Sequence, residues 1–270
     1  MRSHDQTVHG QFDPQAEAYR HSAVHAAGPD LDYARTLVAG NAARPEQALD
    51  LGSGAGHLSF ALAPHVGHLV ALDPAPNMLA AVVRGAQERG LRGIEVQAGS
   101  AHSLPYRDGT FSLVCTRYSA HHWVRLEDAL REAARVLTPG GHALIIDVIA
   151  PDSALADTHL QAVELLRDIS HVRNRSVREW RELLGAAGLL ETHYRQWPLR
   201  IEFASWVGRM RTPQTHVAAI RSLQASAPRE VREALVIEAD GSFMLQTGLF
   251  WLTKPPHPAS GPRRPASAPP

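Results

Sequence analysis

A glycine-rich segment followed by an aspartate carries the first chemical signal in this chain of 270 residues. Residues 49–57 read Leu-Asp-Leu-Gly-Ser-Gly-Ala-Gly-His, and the apolar run 69–73 ends in Asp73. Glycine lets the backbone pass close to a ligand where a Cβ would collide, and a following helix directs its first N–H groups at that ligand. An acid at the end of the next strand suits two ribose hydroxyls, which donate hydrogen bonds. The pattern predicts a site for the nucleoside half of a cofactor.

The glycine spacing distinguishes between two kinds of cofactor. Gly52, Gly54 and Gly56 are spaced Gly-x-Gly-x-Gly, whereas the dinucleotide fingerprint has its third glycine one position later, where His57 stands. Asp50 directly precedes the loop, and its carboxylate could accept from an amino-acid moiety, directly or through water. These residues favour S-adenosylmethionine (SAM), with an ordinary glycine turn as the structural alternative.

Strand and helix signals alternate through the part of the chain that must position this loop. Five short runs rich in Val, Leu or Ile predict strands: 48–50, 69–73, 94–98, 113–116 and 143–149. Three intervening segments predict helices: 57–63, 76–89 and 126–137. Residues 138–141 (Thr-Pro-Gly-Gly) end the last helix and turn the chain into the next strand. The alternation indicates a doubly wound α/β sheet.

The flanking segments follow a different pattern. The first ten residues carry no regular signal, and 14–27 and 31–43 predict helices. Beyond residue 150 we expect helices over 154–169 and from the capping box Ser176–Glu179. Strands are predicted at 189–199 and 243–253, with a helical insertion over about 203–237. The expected organisation is an N-terminal helical cap (1–45), a cofactor-binding core (46–150), the remaining strands with a substrate lid (151–253) and a disordered tail (254–270).

Composition excludes several classes of function. The formal net charge is zero, which argues against a nucleic-acid or membrane-surface protein. No apolar run approaches the roughly 20 residues needed to span a bilayer, so membrane insertion is not expected. The first residues lack an apolar signal core, and the single cysteine, Cys115, cannot form an internal disulfide. We therefore expect a cytoplasmic protein. A monomer or a homodimer is expected.

Further motifs extend the pattern along the chain. Residues 99–106 read Gly-Ser-Ala-His-Ser-Leu-Pro-Tyr and 137–141 read Leu-Thr-Pro-Gly-Gly. With the glycine loop, they resemble class I SAM-dependent methyltransferases of type 11, which include the ubiquinone/menaquinone C-methyltransferases. Residues 117–123 (Arg-Tyr-Ser-Ala-His-His-Trp), 170–174 (Ser-His-Val-Arg-Asn) and 206–213 (Trp-Val-Gly-Arg-Met-Arg-Thr-Pro) are similar to a bacterial subgroup of YafE/YcgJ type. The resemblance covers roughly residues 10–253.

The resemblance implies a Rossmann-like sheet of seven strands, mostly parallel with one antiparallel strand, and a helical lid. It also implies cofactor contacts at the glycine loop, at the ends of the next strands and on an N-terminal helix that closes over SAM. The implied contacts are Tyr19, His25, Asp50, Gly52, Ser53, Gly54, Gly56, Asp73, Pro74, Met78, Ser100, Ala101 and Arg117. Family members usually carry Asp where this chain has Ser100, so its adenine contact is unusual.

Two histidines follow the fourth predicted strand, where open α/β sheets place their ligands. His121 and His122 are the candidate catalytic residues, because a histidine of ordinary pKa can take a proton at neutral pH. A packing or capping role is the alternative for either histidine. The chain has sixteen histidines, but none has the Cys/His spacing of a structural zinc site, and we expect no metal.

Three arginines and one histidine are the candidate substrate ligands. Residues 161–232 contain 12 Arg against 7 Asp or Glu, and guanidinium groups bind anions and stack on planar rings. The candidates in segments that could fold over the strand ends are His171, Arg173, Arg209 and Arg211. Solvated helix faces are the alternative position for most of these arginines.

Together these observations predict a methyltransferase that moves a methyl group from SAM to a small molecule. The acceptor is expected to be quinone-like, aromatic or anionic, with the methylated atom (carbon, oxygen or nitrogen) left open. The alternative is a regulatory protein that binds SAM or its demethylated product (SAH) without catalysis.

Overall fold

A single seven-stranded sheet forms the centre of the computed structural model, which describes residues 3–20 and 26–256. The strands are β1 Gln47–Leu51, β2 His68–Asp73, β3 Ile94–Ala98, β4 Phe111–Arg117, β5 Leu137–Ile149, β6 Leu190–Ile201 and β7 Phe243–Thr253. Their order is β3-β2-β1-β4-β5-β7-β6. Strand β7 is antiparallel to both of its neighbours and the other adjacent pairs are parallel. The predicted Rossmann-like sheet is confirmed.

Helices flank the sheet and extend beyond its carboxyl edge. Among the described residues they are α1 His4–Phe12, α2 Ala16–Arg20, α3 Pro29–Ala39, α4 His57–Leu62, α5 Pro76–Glu88, α6 Leu126–Val136, α7 Ala154–Arg167, α8 Val177–Ala186, α9 Phe203–Arg209, α10 Gln214–Ser226 and α11 Arg229–Ala234. None of the helices in the described ranges is long and apolar enough to cross a membrane.

Buried side chains alternate between the two faces of the sheet, as expected for strands covered on both sides. In β1, Leu49 belongs to an apolar cluster with α6 and α8, and Ala48 to one with α3, α4 and α5. A third cluster packs α7, α9, α10 and α11 around Val148, Phe243 and Leu245. The C-terminal helices therefore have their own apolar core near the ends of β5 and β7.

The N-terminal segment differs from the sequence prediction. The first ten residues were expected to be irregular, but α1 begins directly after Ser3. The Ser3 hydroxyl accepts from the backbone N–H of Gln6, and the Gln6 side chain accepts from the Ser3 N–H. This capping box is visible in the sequence as Ser-x-x-Gln, so that prediction was wrong for a recognisable reason.

Other boundaries shift or lie outside the described residues. Residues 138–141 are part of β5 rather than a turn before it. The predicted helix over 14–27 is represented by a 3-10 turn, Asp13–Gln15, and by α2. Residues 21–25 lie outside the described ranges, as do residues 257–270 of the predicted tail.

Charged side chains gather at the carboxyl edge of the sheet. Asp50 and Asp73 stand at the ends of β1 and β2, Arg117 ends β4, and Asp147 lies near the end of β5. The chain leaves β1 toward β2 on one side and returns to β4 on the other, so β1 and β4 flank the topological switch point. Ligands of open α/β sheets bind at such a crevice.

A buried ion pair joins α3 to the end of β4. Asp30 Oδ2 accepts from Arg117 Nε at 2.5 Å, and both side chains are only 5% exposed. We expect Asp30→Ala to lower the free energy of unfolding by about 3–5 kcal/mol, because it removes the carboxylate beside a buried guanidinium.

Asp32→Ala is the matched control in the same helix. Asp32 pairs with Arg35 but is 68% exposed, so its loss should change stability by about 0–1 kcal/mol. Urea unfolding of both variants measures the difference, and equal midpoints would contradict the account of the buried pair.

Candidate active site

A cavity of about 490 Å³ opens at the carboxyl ends of β1, β2 and β4; we call it the large cavity. It is lined by eleven of the thirteen residues predicted to contact the cofactor: Tyr19, Asp50, Gly52, Ser53, Gly54, Asp73, Pro74, Met78, Ser100, Ala101 and Arg117. Gly56 is not among the lining residues, and His25 lies outside the described part of the chain.

A side chain is disfavoured at each of the three loop glycines for a different structural reason. A Cβ on Gly52 would lie 1.9 Å from the Ser119 hydroxyl oxygen, whereas a Cβ on Gly54 would meet no atom within 4 Å. Both have positive φ angles, +64° and +52°. Gly56, at φ +89°, would place a Cβ 2.9 Å from the Phe60 ring. Gly54 therefore faces open space in the large cavity, while Gly56 permits close packing of α4.

The Asp73 carboxylate holds the glycine loop in place and still has lone pairs that can accept hydrogen bonds from a ligand. Its Oδ2 accepts from the Gly54 N–H and its Oδ1 from the Ala75 N–H, both at 2.9 Å. A carboxylate offers about four lone-pair sites, so about two remain. Burial raises the pKa of Asp73 to about 6, although the two N–H groups act in the opposite direction. The side chain is therefore ionised at neutral pH.

Asp50 presents a buried oxygen without a partner. Ser59 Oγ donates to its Oδ2 at 2.6 Å, while Oδ1 has no hydrogen-bond partner among the described residues. Burial raises the pKa of Asp50 to about 7, against the effect of the Ser59 hydrogen bond. The Ser53 hydroxyl oxygen nearby in the loop is also buried without a partner in the described chain. Such groups are rare in folded proteins, and because Asp50 and Ser53 both line the large cavity, a ligand there can supply the missing bonds.

The large cavity is also lined by Pro74, Met78, Ser100 and Ala101. Met78 is 2% exposed, and the Ser100 hydroxyl hydrogen-bonds His102 Nδ1 at 2.8 Å. The Ser100 hydroxyl is thus already hydrogen-bonded to a neighbour. As a neutral group in the position where family members usually carry Asp, it would be a weaker acceptor for a ligand than a carboxylate.

Arg117 lines the large cavity, and its guanidinium also contacts two neighbouring side chains, those of Asp30 and Tyr118. Besides its ion pair with Asp30, its guanidinium lies 4.5 Å from the centre of the Tyr118 ring. Tyr118 has φ 52°, a conformation that a bulky residue rarely adopts, and its hydroxyl hydrogen-bonds Thr247 at 2.8 Å. Strain of this kind persists only where the surroundings over-determine it, and it is concentrated at functional sites.

A second cavity of about 80 Å³, the small cavity, adjoins the large one. The two share Phe12, Tyr19, Tyr118 and His122 in their walls. His121 lines the small cavity only. Of the two predicted catalytic histidines, His122 thus lies at the boundary between the cavities and His121 lies on the small-cavity side.

His121 forms a hydrogen-bonded pair with Asp147. Its Nδ1–H donates to Asp147 Oδ1 at 2.6 Å, and its backbone N–H donates to Oδ2 at 3.1 Å. Asp147 is 1% exposed and also accepts from the Val148 N–H. Burial alone would lower the pKa of His121, but the Asp147 carboxylate, together with the charges of Glu164 and Asp168, outweighs that effect and raises it. With Nδ1–H committed to Asp147, the basic lone pair is at Nε2.

His122 and His171 are held neutral beside this pair. Burial, followed by the charge of His121, lowers the pKa of His122 to about 4 and that of His171 to about 2. The His122 Nδ1–H donates to the Ser170 carbonyl at 3.0 Å. The His171 Nε2–H donates to Gln161 Oε1 at 2.8 Å, and His171 lines neither cavity. No group of described His, Cys, Asp or Glu residues is arranged to hold a metal ion.

The predicted substrate arginines are not brought together. Arg209 lines the small cavity. Arg173 instead pairs with Asp157 at 2.8 Å and with Glu179 at 3.3 Å, and Arg211 is exposed and lines neither cavity. Their spacing in the sequence did not reveal which carboxylates would pack against them.

Sequence reasoning also missed four residues of this region: Asp147, Glu164, Arg167 and Asn174. Asp147 could have been identified from the sequence, because it ends the apolar run Leu-Ile-Ile-Asp just as Asp50 and Asp73 follow apolar residues at the ends of their strands. The other three line the small cavity from α7 and the segment after it, and only tertiary packing brings them there.

Comparison with known proteins agrees with this geometry. Residues 49–145 match the family described as "Methyltransferase domain". The chain is 44% identical to the uncharacterized protein YafE of Escherichia coli over 188 residues, which are 70% of this chain and 91% of YafE. It is 34% identical to the uncharacterized methyltransferase YcgJ of Bacillus subtilis, over 84% of this chain and 88% of YcgJ. The chain belongs to the class I SAM-dependent methyltransferases.

Two further comparisons bear on this methyltransferase. The crystal structure of Bacillus subtilis YcgJ superimposes with a TM-score of 0.78 at 32% identity, covering 84% of this chain and 98% of that one. A demethylmenaquinone methyltransferase of Thermus thermophilus is 35% identical over 109 residues, which are 40% of this chain and 49% of that protein. Family membership and fold together make the protein an enzyme whose cofactor is SAM.

The large cavity fits that cofactor by the chemistry of its own residues. The unpartnered Asp50 oxygen can accept from an ammonium group, the free lone pairs of Asp73 can accept from hydroxyls, and Gly54 leaves open space. When bound, SAM supplies an electrophilic methyl group on a sulfonium.

Binding of SAM should therefore depend on the ionisation of both carboxyls. With pKa values of about 7 and about 6 for Asp50 and Asp73, lowering the pH from 7.5 to 5 protonates them and should weaken SAM binding tenfold or more. Calorimetric titration across this range measures the effect.

Asp73→Asn should weaken SAM binding at least tenfold at pH 7.5 and flatten the pH dependence, because it removes one of the two titrating acceptors. Asp32→Asn, at an exposed carboxylate, is the control and should bind as the unmodified protein does. Equal dissociation constants for SAM at pH 5 and pH 7.5 would count against a role for these carboxyls.

Proposed function

We propose that this methyltransferase transfers its methyl group to a small, neutral, hydroxyl-bearing aromatic acceptor in the small cavity, with His121 as the general base. The observation that carries the proposal is the 2.6 Å hydrogen bond between His121 Nδ1 and Asp147 at the wall of that cavity. It leaves Nε2 free to take a proton. A phenolic hydroxyl that loses its proton becomes nucleophilic at oxygen and at the conjugated ring carbons.

Proton removal is the step that the protein itself must supply. In-line displacement at a sulfonium needs alignment of the reactants and exclusion of water, and a base only where the nucleophile carries a proton. The proton passes from the acceptor hydroxyl to His121 Nε2, and Asp147 stabilises the resulting imidazolium. The raised pKa of His121 makes it a stronger base than an ordinary histidine.

The lining of the small cavity favours an aromatic acceptor. Rings of Phe12, Tyr19, Tyr118 and Trp206 contribute to its wall, together with apolar side chains from β5, β6 and β7. Aromatic rings bind one another with a preference for edge and offset contacts. The methyl transfer named for the Thermus thermophilus relative agrees with an oxygenated ring, although that similarity covers less than half of either chain.

Charge balance favours a neutral acceptor over an anionic one. Arg167 and Arg209 line the small cavity, but Glu164 lines it too. The carboxylates of Asp147 and Asp168 are buried and interact with the charge of His121. The cations therefore have carboxylates to balance them, which argues against the anionic acceptor suggested by the arginine count.

We assign the large cavity to SAM. Asp50 would accept from its ammonium group, Asp73 from its ribose hydroxyls, and Pro74, Met78, Ser100 and Ala101 would surround the adenine. His122 and Tyr19, which line both cavities, would lie between cofactor and acceptor. Because the pKa of His122 is lowered to about 4, it stays neutral at pH 7 and contributes shape and a ring nitrogen rather than charge.

The direct test is methyl transfer from methyl-labelled SAM to a panel of phenols and benzenediols, with products identified by mass. We expect at least one phenolic acceptor to be labelled. A protein that binds SAM but labels none of the panel would contradict the proposed acceptor class.

The base assignment predicts a specific kinetic pattern. His121→Ala should lower kcat by about 10²-fold or more while SAM affinity changes less than twofold, since general-base catalysis contributes about 10²–10⁴. His65→Ala is the control, because His65 lines neither cavity.

Asp147→Asn provides the pH test. The acidic limb of the kcat/KM profile should lie above pH 6.5 in the unmodified enzyme, because His121 must be neutral to act and its pKa is raised. Loss of the carboxylate should move this limb to lower pH and reduce kcat. An acidic limb at the same pH in Asp147→Asn as in the unmodified enzyme would contradict the assignment of His121 as the base.

A further inference from the structure

Two polar side chains of the small cavity, those of Asn174 and Glu164, have neither a role in the reaction described above nor a hydrogen-bond partner among the described residues. Asn174 is 1% exposed, and its Nδ2 has no hydrogen-bond partner among the described residues. Glu164 is 7% exposed, and within the described part of the chain no group hydrogen-bonds its carboxyl. Both line the small cavity together with His121. Buried polar groups are nearly always paired, so each of these calls for a partner that the protein does not supply.

The position of Asn174 is fixed from outside the cavity. Gln161 Oε1 accepts from the Asn174 backbone N–H at 3.1 Å, and Gln161 Nε2 donates to the Asn174 carbonyl at 3.0 Å. Gln161 Nε2 also donates to Asp157 at 2.7 Å. Both backbone groups of Asn174 are thus held by one side chain of α7, which leaves the amide side chain as the part able to meet a ligand.

Glu164 stands on the same helix, one turn beyond Gln161. Its charge interacts with those of Arg167, His121 and Arg209, so its carboxyl lies within the electrostatic reach of the proposed base. Burial raises the pKa of Glu164. In either protonation state a carboxyl oxygen can accept a hydrogen bond.

The Asn174 Nδ2 donor and the Glu164 carboxyl acceptor, both in the lining of a cavity of about 80 Å³, are together complementary to a hydroxyl group, which both accepts and donates. A ketone or an ether oxygen accepts only, and would leave Glu164 without a donor. We infer that Asn174 and Glu164 bind a second hydroxyl group of the acceptor and select dihydroxylated rings over singly hydroxylated or methoxylated ones. This inference rests on the proposed function, because it places the first hydroxyl at His121.

The expected preference for dihydroxylated acceptors follows from the cost of leaving Asn174 and Glu164 unpaired. An acceptor that lacks the second hydroxyl leaves two buried polar groups unpaired, and sites built to hydrogen-bond a hydroxyl reject analogues without it strongly. A tenfold preference is a conservative expectation.

Binding of defined probes to the SAH-saturated protein tests the inference without requiring turnover. The probes are phenol, the three benzenediols and the three methoxyphenols, measured by calorimetry. At least one benzenediol should bind tenfold or more tightly than phenol and than its own methoxyphenol. Asn174→Ala and Glu164→Leu should each reduce this ratio to below about threefold.

Two controls keep loss of folding apart from loss of recognition. Glu164→Gln preserves an accepting oxygen and should retain most of the preference. Arg211→Ala changes an exposed side chain outside both cavities and should retain all of it. SAH affinity, measured for every variant, should stay within twofold of the unmodified protein.

The outcomes separate this inference from the proposed function. Binding of all probes within twofold, binding of none, or an unchanged preference in Asn174→Ala would each overturn the inference. Preferential binding of a benzenediol that is never methylated would contradict the proposed function while it supports the hydroxyl pair.

Discussion

Burial of charge at the carboxyl edge of the sheet is the constraint on which the rest of the structure depends. Asp50, Asp73, Arg117 and Asp147 lie where parallel strands end, largely shielded from water. An isolated buried charge is strongly unfavourable, so each must be paired or shift its pKa. Backbone N–H groups hold Asp73, a hydroxyl holds Asp50, α3 supplies the carboxylate for Arg117, and His121 pairs with Asp147. Apart from α3, the elements that provide these partners also contribute residues to the walls of the two cavities.

The pairings are incomplete in an informative way. Asp50 Oδ1 on the large cavity and Asn174 Nδ2 on the small one lack partners within the described chain. His121 uses Nδ1 for Asp147 and keeps Nε2. Asp50 and Asn174 line cavities in which a ligand can supply the missing bond, whereas other unpartnered buried atoms, such as Trp180 Nε1 and His159 Nε2, belong to residues that line neither cavity. Under the proposed function, the shared residues Tyr19 and His122 would lie between the cofactor and the acceptor.

Sequence reasoning succeeded where the signal was local. The strands and the positions of Gly52, Gly54 and Asp73 follow from short motifs whose geometry depends on neighbours in the chain. Gly56 shows the limit, because the same motif did not reveal that its missing Cβ makes room for Phe60 rather than for a ligand. The small cavity was predicted least well. Arg173 is held by carboxylates of α7 and α8, and Asn174 reaches the cavity through contacts with Gln161, none of which has a sequence pattern.

We propose that His121 acts as the base through its hydrogen bond to Asp147, and its two ring nitrogens report on this directly. Nitrogen-15 NMR of the SAH-saturated enzyme between pH 5 and pH 9, with His121 assigned by the signals lost in His121→Ala, would measure which nitrogen titrates. We expect Nδ1 to remain protonated throughout and Nε2 to titrate with a pKa above 6.5. Titration at Nδ1, or a pKa at or below 6.5, would contradict the account.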